Sequence, residues 1–113
     1  MKRLKENQMT KFADVQKILD DAVENESVGP PHDAFWRNVS RNDFVNMKVL
    51  DCPIIHNEAE RFVGAQSLLV KILRASTNDC NQRLRPQMPF GFDPVPEDKI
   101  QTISDWIDAQ CPE

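Results

Sequence analysis

His32, His56 and Met88 are the conspicuous soft or borderline metal ligands of this chain, beside three cysteines, Cys52, Cys80 and Cys111. A His/His/Met set binds copper, or haem without a covalent link. The spacing of these residues contains no helical i,i+4 pair, so only the fold could bring them together. Each also has a plain role: His32 follows Pro30-Pro31 at a helix start, His56 suits a surface turn, and Met88 fills a core. The cysteines are odd in number and widely spaced, with no CxxC or zinc-type pairing. In a reducing compartment they are expected to be three free thiols. Cys52 with His56 four residues on is the one thiol–imidazole pairing that could make a small thiol enzyme. It would need spatial closeness and a depressed thiol pKa. No Gly-rich phosphate loop, G-x-S-x-G or HExxH accompanies it. Asp43, Glu97 and Asp98 are explained by helix starts, so an enzyme is not the favoured class and no cofactor is expected.

Recognition by large apolar side chains is the stronger chemistry. Phe35 and Trp36 are adjacent, and Met88, Phe90 and Phe92 lie in the proline-punctuated stretch Arg85–Pro96. A stiff loop loses little entropy on binding, and aromatic rings anchor interfaces. Phe35, Trp36, Met88, Phe90 and Phe92 are therefore the candidate partner-binding residues. Arg74, Arg83 and Arg85 are near enough in sequence to meet acidic groups of a partner, although a solvated loop accounts for them better.

The bulk properties set bounds. A chain of 113 residues is one domain with a single modest core. The expected division is a flexible N-terminus over residues 1–10 and one helical domain over 11–113. The hydrophobic fraction is 40% and the charged fraction 28%, as in ordinary globular proteins. A formal net charge of -4 suits neither nucleic acid nor an anionic membrane. No apolar run approaches the roughly 18 residues of a membrane span. The basic start, Met1–Lys5, has no apolar stretch behind it, so a cytosolic protein is expected.

Helices must position these residues. Phe12, Val15, Ile18, Leu19, Ala22 and Val23 recur as one helical face, predicting a helix over 11–24 capped by Thr10. Gly29, Pro30 and Pro31 close that segment. Pro31 or His32 could begin a short turn carrying Phe35 and Trp36. Ser40 and Asp43 have capping-box spacing ahead of a short helix at 41–47. Residues 49–55, broken by Pro53, read as an extended connection without a strand partner. Residues 56–64 read as either a helical turn or a loop. Ser67–Arg74 predicts a buried helix capped by Gln66 or Ser67, and 75–85 a mobile polar loop. The last helix is the clearest: Pro96 in its first turn, Glu97 and Asp98 at its positive end, and a stripe of Ile100, Ile103, Trp106, Ile107 and Cys111 stopped by Pro112.

Taken together, the Ser-Leu-Leu-Val-x-Ile-Leu helix, the Met88-Pro89 loop, Pro94-x-Pro96 and the terminal Ile-x-x-Ile-x-x-Trp-Ile-x-x-x-Cys-Pro resemble the C-terminal half of small c-type cytochrome domains. The resemblance covers residues 66–112 and, more loosely, the first helix at 11–24. It implies an all-α fold of about four or five short helices in a cytochrome-c-like arrangement, with the first helix packed on the last. It implies also that Met88 stands where that family has its axial iron ligand. The family attaches haem through Cys-x-x-Cys-His after the first helix, and residues 25–33 here contain no cysteine. The chain thus looks like a haem-free relative, with Phe35 and Trp36 filling the haem volume.

The function expected from all this is that of a non-catalytic cytosolic accessory domain. It would bind a protein partner, with a redox or biosynthetic enzyme as the kind of partner, or pair with itself as a homodimer. The alternatives are a metal- or haem-binding electron-transfer protein using Met88 with His32 or His56, an immunity-type inhibitor of a basic partner, and the small thiol enzyme.

Overall fold

The computed structural model describes residues 10–23, 35–49, 51–89 and 93–113. Expectations resting on residues 1–9, on the segment around His32, and on Phe90 and Phe92 fall outside these. The described residues form four helices and three short two-stranded antiparallel hairpins, so the chain is mostly helical but not all-α.

Helix α1 spans Phe12–Ala22 and buries Phe12, Val15 and Leu19, the face that the spacing predicted. Its N-cap is Lys11 and not Thr10. Asp14 supplies the capping group, its Oδ2 accepting the Lys11 N–H at 2.9 Å, where a carboxylate also meets the positive end of the helix. Helix α2, Arg41–Val45, starts as its sequence indicates, with Ser40 Oγ accepting the Asp43 N–H at 3.0 Å.

Between α2 and the next helix the chain forms two hairpins where an extended connection and a turn or loop were expected. Strand β1 (Lys48–Val49) pairs with β2 (Cys52–Pro53), so the stretch taken for an unpartnered connection supplies its own partner. Asp51 turns the chain at φ 70°, a conformation that Asp adopts more readily than most residues. Strands β3 (His56–Glu58) and β4 (Arg61–Val63) form a second hairpin. Its turn holds Ala59 at φ 53° and Glu60 at φ 65°. A two-residue turn with positive φ at both central positions normally takes Asn, Asp or Gly there, which is why Ala-Glu gave no signal of one.

Helix α3 is Leu68–Arg74, with Leu69, Val70 and Leu73 buried. Its N-cap residue Ser67 is wholly buried, and its hydroxyl does not cap the helix. Instead Ser67 Oγ accepts the His56 N–H at 2.9 Å and donates to the Val63 carbonyl at 2.8 Å, bracing the second hairpin. A third hairpin, β5 (Thr77–Asn78) with β6 (Leu84–Arg85), replaces the expected loop at 75–85.

Helix α4, Glu97–Asp108, buries Ile100, Ile103, Trp106 and Ile107 as predicted, and follows Pro96 as its N-cap. It packs chiefly on α3 and on β4. The approach to β4 is close because Gly64 has no side chain: a Cβ there would run into the Ser104 carbonyl oxygen and hydroxyl. After α4, Gln110 and Cys111 take positive φ and fold the chain end back. The Pro112 carbonyl then accepts the Phe12 N–H at 3.0 Å and Trp106 Nε1–H at 2.8 Å. Arg41 donates to the Cys111 carbonyl at 2.7 Å and the Gln110 carbonyl at 2.8 Å. Packing of the first helix along the last is not shown. Their junction is the Phe12–Trp106 ring contact, with centroids 6.0 Å apart, and the terminal segment between them.

Candidate docking surface

The structure separates the candidate residues. Trp36 is 6% exposed and belongs to the core. Its Nε1–H donates to Asp20 Oδ1 at 2.7 Å, and its carbonyl accepts from Gln16 Nε2 at 2.7 Å, which lock it to α1. Arg37 also donates to Asp20 Oδ1, at 2.6 Å, and lies over the Trp36 ring. Burial works to raise the Asp20 pKa, but the hydrogen bonds from Arg37 and Trp36 outweigh it and leave the carboxyl below its ordinary value. Phe35 is half-buried, edge-on to Trp36 and stacked on Phe44, with centroids 5.2 and 6.2 Å away. Phe44 continues to Phe12 and Trp106, so these rings form one aromatic cluster.

Met88 is half-buried against the core, its N–H bonded to the Ile72 carbonyl at 2.9 Å. His56 stands in β3, its Nε2 at 3.2 Å from Glu58 Oε1. No group of three or more His, Cys, Asp or Glu able to hold a metal ion occurs among the described residues.

The cysteines correct the expectation of three thiols. Cys52 and Cys80 are joined in a disulfide and Cys111 alone is free. The Cys52–His56 nucleophile idea fails for this state, because the disulfide leaves Cys52 no thiol. No motif marked the pairing; it spans 28 positions and depends on hairpins that the sequence did not announce. Burial pushes the Cys111 pKa up to about 12 against the lowering effect of the Arg41 charge. An aromatic disulfide reagent should therefore find no reactive thiol in the native oxidised protein and one after denaturation without reductant. A native-state reaction at Cys111 would contradict its burial.

Two polar features stand out. In the third hairpin Asp79 is buried and accepts the Asn81 N–H at 2.8 Å, the Arg83 N–H at 3.0 Å and Arg85 Nε–H at 2.9 Å. Arg83 Nε also reaches it, at 3.2 Å. Burial alone would raise the Asp79 pKa; the backbone bonds from Arg83 and Asn81, then Arg85 and the Arg83 charge, override it and set the value at about 2. Because the folded pKa lies below the ordinary value of 3.8, the stabilisation is complete above that value and is lost as pH falls toward about 2. Hairpin amides should accordingly lose exchange protection over that acid range, and Asp79→Asn should remove the pH dependence.

The second feature is a groove of about 630 Å³ between α1 and the Asp93–Thr102 segment. Ile18, Ala22, Pro94, Val95 and Pro96 give it apolar walls. Asp14, Lys17, Asp21, Asp93 and Lys99 bring both signs of charge to the same groove. It adjoins the proline-rich stretch that the sequence singled out, but its other wall is α1, which was read only as a core-facing helix. Ile18 was assigned to that core face, and the structure leaves it half-buried and lining the groove.

Comparison with known proteins finds no matching family model, no similar curated protein and no similar solved structure.

Proposed function

We propose that this protein is a non-catalytic protein-binding domain that docks through the groove between α1 and the Asp93–Thr102 segment, and that a second copy of the chain is its occupant. The observation that carries the reading is the groove's composition. Apolar walls from Ile18, Ala22 and Val95 lie beside three aspartates and two lysines. Lys17 is paired with Asp21 along α1 at 3.4 Å, which leaves Lys99 of one copy to meet Asp14 or Asp93 of the other where a two-fold axis brings the apolar strips together. The rigid Pro94-Val95-Pro96 wall adds little ordering cost on association.

Two further properties belong to this proposal. One is a haem-free, cytochrome-c-like arrangement, supported by the Phe12–Trp106 junction of the first and last helices and by Met88 lying against the core. The other is a cytosolic setting, where the Cys52–Cys80 pair would stand reduced. No helix among the described residues is long and apolar enough to cross a membrane.

Sedimentation equilibrium tests the docking. The wild-type protein should reach a dimer within concentrations of up to about 1 mM. Ile18→Glu puts a charge into the groove from a half-buried position and should weaken the dimer at least about tenfold with the fold retained by circular dichroism. A wild-type monomer throughout that range, or a dimer indifferent to Ile18→Glu, would overturn the reading.

A further inference from the structure

The β5–β6 hairpin is held by polar groups and a covalent bond. Between Leu73 and Val95 no apolar side chain is buried among the described residues, and Leu84 is 72% exposed. The hairpin is organised around the Asp79 carboxylate and not around core contacts. Its Asp79 N–H also bonds the Arg83 carbonyl, and its Gln82 N–H the Asp79 carbonyl. Its base is fixed to α3 through Gln87 and Met88. Its tip is fixed to β2 by the Cys52–Cys80 bond, and the Cys80 N–H and Asn81 side chain both point to the same Cys52 Sγ. Arg85 Nη2 is buried without a hydrogen-bond partner, a cost that water would relieve once the hairpin opened. A segment with no buried apolar anchor belongs to the low-stability end of a fold.

We propose that the Cys52–Cys80 disulfide is a reducible clasp: a dithiol reductant opens it and releases the Thr77–Arg85 hairpin while the helical core stays folded. Cys80 is exposed and Cys52 is 1% exposed, so attack falls on Cys80 Sγ. One reductant thiolate forms a mixed disulfide with Cys80 and expels Cys52 as thiolate, which takes a proton from water. The second reductant thiol loses its proton and closes on the first, leaving as a cyclic or linear disulfide, and Cys80 departs as thiolate and is protonated. Two electrons pass from reductant to protein, and the protein ends with two thiols. This is independent of the groove and of what the groove binds.

The test is amide exchange on the oxidised protein and on protein reduced with dithiothreitol, with the Cys80→Ser variant as a third sample needing no reductant. Amides of Asp79, Asn81, Gln82 and Arg83 should lose protection in the reduced and variant proteins, with α1 and α4 amides still protected. Pulse alkylation of the reduced protein should label Cys52 and Cys80 and spare Cys111. Hairpin amides that keep their protection after reduction would overturn the proposal. So would loss of protection in all elements together, or labelling of Cys111 at the rate of the other two.

Discussion

Trp106→Ala is expected to lower the unfolding free energy by about 3–5 kcal/mol, the usual range for deleting a buried aromatic ring. Trp106 is 1% exposed and lies where the aromatic cluster meets the chain end. It stacks on Phe12 and tilts against Phe44, so truncation opens a cavity between α1, α2 and α4. It also deletes the Nε1–H bond to the Pro112 carbonyl, although that carbonyl keeps the Phe12 N–H. Set against a domain stability of roughly 5–15 kcal/mol, the loss is a third or more in most cases. Urea unfolding followed by fluorescence of the remaining Trp36 would measure it as a lower midpoint at unchanged slope. A loss under about 1 kcal/mol would mean that the cluster is not the centre of the core.

Gly64→Ala should cost about 3 kcal/mol or more, at or beyond the upper end of ordinary overpacking. One methyl group is small, but what it meets is the Ser104 backbone carbonyl inside α4, which cannot rotate aside as a flexible side chain can. The same step also disturbs the Gly64 N–H bond to Asp108 Oδ1, at 2.8 Å, that holds β4 to the end of that helix. At an uncrowded position the substitution would instead stabilise, by roughly 0.4–1 kcal/mol. The sign of the change in thermal midpoint therefore decides whether β4 sits on α4 as closely as described.

The helices were legible because their signals are local. The α1 face and the Ile100–Ile107 stripe are local patterns, and Ser40 marks the start of α2 by side-chain chemistry alone. The hairpins were not legible. Ala59 and Glu60 adopt positive φ without the Gly or Asn that normally announces it, and the paired segments are only two or three residues long, too short to show alternation. The disulfide was hidden for the same reason, since Cys80 meets Cys52 only once the β1–β2 and β5–β6 hairpins exist. At the candidate site the proline-rich stretch was visible as a stiff presenting element. Trp36, offered both as a partner-binding residue and as interior filler, is buried, and the contact that holds it comes from Asp20 on α1, sixteen positions away. The groove needed both walls in place, and sequence order sets them about seventy residues apart.

Association through the α1 groove leaves a footprint in amide exchange. Amide exchange would be compared at a dilute and at a concentrated sample of the oxidised wild-type protein. Protection gained at high concentration should be confined to the backbone of Thr10–Ala22 and of Asp93–Thr102, the two walls of the groove. A footprint centred on Leu84, the large apolar side chain most exposed among the described residues, or no concentration dependence at all, would contradict the account.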